Sequence, residues 1–162
     1  MALTKIAAPL VLLSLCLARP AHALLLCDGV LGGPVTVSAS DLSFGSYMPA
    51  SPSYASVTVT VRCSALGVDL LPSFTVSLLS ANSADPSARF MAYGGNHLGY
   101  NIYTSAGYAT VWGDGTSGSS SQSYASLLAL GSISYTAWGR LPAGQYVRAG
   151  SYGDQITVVV SY

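Results

Sequence analysis

The sequence predicts an all-β protein, an immunoglobulin-like antiparallel β-sandwich, and three observations carry that reading. Apolar and polar residues alternate at period 2 in several short runs, the spacing that turns one strand face to a core and the other to water. Clusters of Gly, Pro, Asp and Asn separate the runs, and only Tyr124 to Leu130 leaves room for a helical turn or two. With 162 residues the chain suits one domain, and 51% hydrophobic residues against 7% charged ones exclude a disordered polar tail.

The clearest run sets Val57, Val59, Val61 and Cys63 against Ser56, Thr58, Thr60 and Arg62, which points Cys63 inward. Phe74, Val76 and Leu78 repeat the pattern, as do Tyr100 with Ile102, then Ile133, Tyr135 and Ala137, and finally Ile156, Val158, Val160 and Tyr162. Shorter candidates are Val35 to Val37, Leu42 to Phe44, Arg89 to Ala92 and Thr110 to Trp112. Between them lie turn formers such as Gly32-Gly33-Pro34, Met48-Pro49, Asp85-Pro86 and Gly94-Gly95-Asn96. Seven or so short strands joined this way match a sandwich. No tryptophan sits midway between the cysteines, as one does in antibody domains, so that likeness is architectural only.

Residues 1–23 read as a cleaved signal peptide. Lys5 supplies the positive start, Ala7 to Leu17 the apolar core, and Ala21-His22-Ala23 a small-x-small cleavage site. A lipoprotein reading at Cys16 fails because Leu15 is too large for the position before such a cysteine. The mature domain, residues 24–162, then holds four Arg, six Asp, no Lys and no Glu, a net charge near −2. Nucleic acid is an unsuitable partner for so few scattered cations, and no run past residue 27 is long and apolar enough for a membrane span. Cys27 and Cys63 remain, and two cysteines in an oxidising compartment most simply form one disulfide. A loop of that length would add ~3–4 kcal/mol by chain entropy.

The last strand, Gln155 to Tyr162, is the most apolar, and the sequence stops on it with no strand following. An apolar edge invites pairing with another chain, so Ile156, Val158, Val160 and Tyr162 are candidates for a groove that accepts a foreign strand. The pattern alone leaves open that this strand pairs internally on both sides.

Catalytic chemistry finds little support. His97 is the one histidine left after processing, and a zinc site built on it would need Cys27 or Cys63 as co-ligand. No nucleophile elbow surrounds any serine, and paired carboxylates would have to be two aspartates. The expectation is a non-enzyme with no cofactor and no metal. Asp114 and Asp154 read as turn residues, and Arg62, Arg89, Arg140 and Arg148 as mostly solvated positions. Tyrosines in Gly-, Ser- and Pro-rich loops, Tyr47, Tyr108 and Tyr146 foremost, are candidate contacts with a sugar or an apolar surface, or else covers for the sandwich ends.

From Cys27 onward the chain resembles the spore coat protein U family, itself similar to the subunits of archaic chaperone-usher pili. The residues that carry the resemblance include Phe44-Gly45-Ser46-Tyr47, Val57-Thr58-Val59-Thr60-Val61-Arg62-Cys63 and Gly99-Tyr100-Asn101-Ile102-Tyr103. Trp112-Gly113-Asp114-Gly115, Gly139-Arg140-Leu141-Pro142-Ala143-Gly144-Gln145 and Ala149-Gly150-Ser151-Tyr152-Gly153-Asp154 follow in the same order. The resemblance implies a sandwich lacking its last strand, held by a periplasmic chaperone, passed to an outer-membrane usher and completed by a strand from the neighbouring pilus subunit. It further implies a secreted structural subunit of a pilus or spore-coat-like surface fibre, a fimbrium serving adhesion or biofilm formation. Only Leu24, Leu25 and Leu26 precede Cys27, about 10 Å of extended chain, so the sequence departs from family members that donate a strand, which suits a fibre tip. The alternative is a self-contained secreted module that binds carbohydrate or a surface.

Overall fold

The structure is a computed structural model that describes residues 32–65, 74–125 and 132–161. Within them lie nine strands: β1 (Gly32–Ala39), β2 (Ser53–Ala65), β3 (Phe74–Ser80), β4 (Phe90–Tyr93), β5 (Asn96–Gly99), β6 (Asn101–Tyr103), β7 (Gln122–Tyr124), β8 (Ser132–Leu141) and β9 (Ile156–Ser161). A four-stranded sheet runs β1-β2-β8-β6, a three-stranded sheet β7-β3-β9, and β4 and β5 form a hairpin, with every pairing antiparallel. Two Gly residues at positive φ, Gly94 (52°) and Gly95 (81°), make the hairpin turn, the sign pattern that matches the right-handed twist of its strands.

Alternation explains the core directly. Val59 and Val61 of β2 and Phe74, Val76 and Leu78 of β3 are buried, while Ser56 and Thr58 face water. The longest pairing, β2 with β8, aligns Val57 with Ala137, Val59 with Tyr135 and Val61 with Ile133, so each rung adds one apolar pair to the interior. The tryptophan missing between the cysteines has a counterpart elsewhere: Trp112 is fully buried, its Nε1–H donates to the Val76 carbonyl at 2.8 Å, and its ring meets Tyr135 edge-on.

Three expectations change. Leu42 to Phe44 alternates like a strand yet is irregular, because both side chains fold onto Gly139 of β8, where a Cβ would lie 2.8 Å from Leu42 Cδ2 and Phe44 Cζ. Arg89 is buried rather than solvated. Tyr124, expected at the start of a helical turn, ends β7, and 126–131 lie outside the described residues. Cys27, the signal segment 1–23 and Tyr162 lie outside them too, so the disulfide with Cys63 is not described. The backbone of Cys63 pairs with Val35 in β1. No helix among the described residues is long and apolar enough to cross a membrane.

Candidate functional site: a groove beside a strand paired on one flank

Strand β9 pairs with β3 on one flank, Val158 opposite Leu78 and Val160 opposite Val76, and no described strand lies on its other flank. Its burial betrays that position. Val76 and Leu78 on β3 are 0% and 2% exposed, whereas their partners Val160 and Val158 are only partly buried, as is Ile156. Beside β9 the two sheets part into a groove of about 540 Å³. Val57, Val59, Leu78, Ile102 and Ala137 make its apolar floor, Ile156 and Val158 one wall, and residues 39–42, continuing from β1, the other. Of the four acceptor candidates, then, Ile156 and Val158 line the groove. Val160 packs against the same core without reaching the cavity, and Tyr162 is not described.

One end of the groove is held by a polar knot around Asp154, which does more than a turn aspartate would. Asp154 Oδ2 accepts from Ser80 Oγ at 2.6 Å and from the Tyr100 hydroxyl at 2.7 Å, and Oδ1 accepts from the Asn82 amide at 3.2 Å. That fixes the entry of β9 to the exit of β3 and to Tyr100. Burial, and then the bond to Asp154, push the Tyr100 phenol far above its usual range. A raised folded-state value means stability present below pH ~10 is lost as the pH climbs beyond the free phenol's value. Tyr100→Phe is therefore expected to lower stability near neutrality by about 1.5–3 kcal/mol, the cost of a hydrogen bond to a charged group, and to flatten the decline above pH ~10. Urea midpoints measured from pH 7 to 11 check both effects.

Behind the knot sits Arg89, 2% exposed. Nη1 donates to Asn101 Oδ1 at 2.8 Å, and Nη2 to the carbonyls of Leu78 at 2.7 Å and Trp112 at 2.8 Å. Burial pulls its pKa down, opposed by Tyr100, Asp154 and Asp114. One cation thus ties β3, β6 and the Trp112 segment together, a role that no charge pattern in the sequence announces.

The loop tyrosines differ among themselves. Tyr47 is half-buried; its hydroxyl donates to the Pro142 carbonyl at 2.8 Å and accepts from the Gln145 amide at 3.1 Å. Tyr146 is 87% exposed, and Tyr108 lies against Tyr54 and Tyr103. His97 is exposed on β5 and stacks on Phe90. Asp114 accepts from the amide and hydroxyl of Thr116, which stabilise its carboxylate and bind it into its own turn. Among the described residues no three or more His, Cys, Asp or Glu cluster as metal ligands would.

A volume of 540 Å³ alone also suits a small molecule. What distinguishes this groove is the row of backbone groups along β9 at its rim, which only another strand can pair in full. The sequence pattern of the Spore Coat Protein U domain matches residues 25–159. The chain belongs to that family. No curated protein matches the sequence. Among solved structures, this Spore Coat Protein U chain is similar to the CsuC–CsuE chaperone–tip adhesion subunit pre-assembly complex from archaic chaperone-usher Csu pili of Acinetobacter baumannii. The TM-score is 0.55 at 20% identity, over 79% of this chain and 39% of that one, a likeness of fold over less than half of the other chain's length. A chaperone–tip adhesin complex of CFA/I fimbriae biogenesis matches at TM-score 0.46 and 11% identity, over 78% of this chain and 41% of that one.

Proposed function

We propose that this protein is a non-enzymatic structural subunit of a chaperone-usher surface fibre, completed by an extended strand that a neighbouring subunit lays along β9. The observation that carries the reading is β9 itself, an apolar strand paired on one flank and bordered on the other by a groove with an apolar floor. Membership of the Spore Coat Protein U domain family, and a fold similar to that of a complex between a pilus chaperone and a tip adhesion subunit, support it. On this account residues 1–23 direct export, Cys27 and Cys63 form a disulfide in the periplasm, a periplasmic chaperone covers the groove, and an outer-membrane usher delivers the subunit to the cell surface. Adhesion is the purpose, with Tyr47, Tyr108 and Tyr146 as candidate contacts.

A groove open to water is costly to leave uncovered, since exposed apolar surface and unpaired strand edges both promote aggregation. Expressed in a bacterial periplasm alone, the chain is therefore expected to be degraded or aggregated. With a pilus-type chaperone it should be recovered as a one-to-one complex. A stable, protease-resistant monomer without chaperone would contradict the reading and favour a self-contained binding module.

A further inference from the structure

The outer face of the four-stranded sheet carries a second feature, on the side away from the groove. Because paired residues of antiparallel strands point to the same side, Tyr54 shares this face with Arg140, and Trp138 shares it with Tyr103. Tyr54 is 52% exposed although it is a large aromatic. Tyr108 leans on it at 5.1 Å between ring centroids and meets Tyr103 edge-on at 5.4 Å. To do so Tyr108 takes φ = 51°, a left-handed backbone that disfavours a bulky side chain. Four aromatic rings thus gather at one end of the sheet.

The rest of the face is small hydroxyls and positive charge. Thr58 pairs with Thr136, and Thr60 with Ser134, whose hydroxyls bond at 2.9 Å. Arg140 stands among the rings with no hydrogen-bond or carboxylate partner among the described residues, and its Nε is a buried donor left unbonded. Arg62 stands exposed at the far end, eight residues along β2 from Tyr54, a separation of about 26 Å. Neither β2 nor β8 holds an aspartate or glutamate.

We infer that this face binds an acidic polysaccharide, an extended chain of pyranose rings bearing carboxylates. The C–H bonds on a pyranose face carry partial positive charge and meet the negative face of an aromatic ring, which Tyr54 presents. The hydroxyl rows bond sugar hydroxyls, and arginines at both ends answer carboxylates in a way one small anion cannot. The inference deepens the adhesion part of the proposed function and is independent of strand capture, which uses the opposite face of the sheet.

The test is affinity electrophoresis of the full chain, kept folded by a bound strand peptide, through gels containing alginate, dextran or poly-L-glutamate. Alginate is expected to retard it, and more weakly as salt rises. Dextran lacks the charge and poly-L-glutamate lacks the rings, so each should bind at least tenfold more weakly. Tyr54→Ala and Arg140→Gln should each weaken alginate binding about tenfold or more while still capturing the peptide, which shows that they fold. Absence of retardation by alginate, equal binding of either control polymer, or unchanged binding in both folded variants would overturn the inference and leave the strand-capture reading intact. Loss of peptide capture in the unmutated chain would instead remove that reading alone.

Discussion

Val158→Asp is expected to abolish capture of a donated strand and, with it, incorporation into a fibre. Val158 lines the groove beside Leu78 and is only partly buried while the groove is open, so its replacement carboxylate can turn to the water that fills the groove and the fold tolerates it. Once an apolar strand covers the groove, that carboxylate is buried with no cation beside it. The cost is several kcal/mol, which lowers affinity by roughly 100-fold or more. Thr157→Asp is the matched control: Thr157 is exposed on the other face of β9, and capture should persist. Binding of a fluorescent strand peptide to both variants separates groove chemistry from a general effect of charge on β9.

Arg89→Ala should have the largest effect on folding. It takes the Nη2 donor from the carbonyls of Leu78 and Trp112 and leaves Asn101 Oδ1 with the Ile102 amide alone, all in a dry interior. A buried acceptor that loses its donor costs about 1–3 kcal/mol, so the two carbonyls together account for about 2–6 kcal/mol, a large part of a small domain's 5–15. Urea unfolding of the peptide-bound chain should show the loss, or the variant should fail to accumulate. Arg89→Lys should recover only part, because an ammonium lacks the planar fork that reaches three acceptors on separate segments. Wild-type stability in Arg89→Ala would refute the claim that this cation joins the two sheets.

The fold was legible wherever burial alternates strictly. Val57 to Val61, Phe74 to Leu78 and Ile133 to Ala137 follow period 2 because one side of each faces the interior, and β2, β3 and β8 lie where that pattern places them. Leu42 to Phe44 carries the same pattern for a different reason, two apolar side chains folding over Gly139, and local alternation cannot tell these apart. The burial of Arg89 is not legible in the sequence, because a lone arginine looks solvated until three acceptors from distant segments converge on it. Asp154 shows the same limit: a turn aspartate and a knot between Ser80, Asn82 and Tyr100 look identical in one dimension.

The groove was legible only in outline. The concentration of apolar residues in Ile156 to Val160 pointed to β9 as an edge, but which residues line the space depends on how far the sheets part. That separation places Ile156 and Val158 on the wall and leaves Val160 beyond it. The aromatic cluster on the outer sheet rests on Tyr108 adopting a positive φ, a choice that no propensity predicts for tyrosine.

Amide hydrogen exchange along Ile156 to Ser161, resolved residue by residue in the chain released from its chaperone, examines the missing-strand account most directly. Successive amides of a strand point to opposite flanks, so those directed at β3 should be protected and those directed away should exchange freely. Adding an alternating apolar peptide of roughly ten residues should slow the second set to match the first. Uniform protection before any peptide is added, or no change on its addition, would mean that β9 already has both its neighbours.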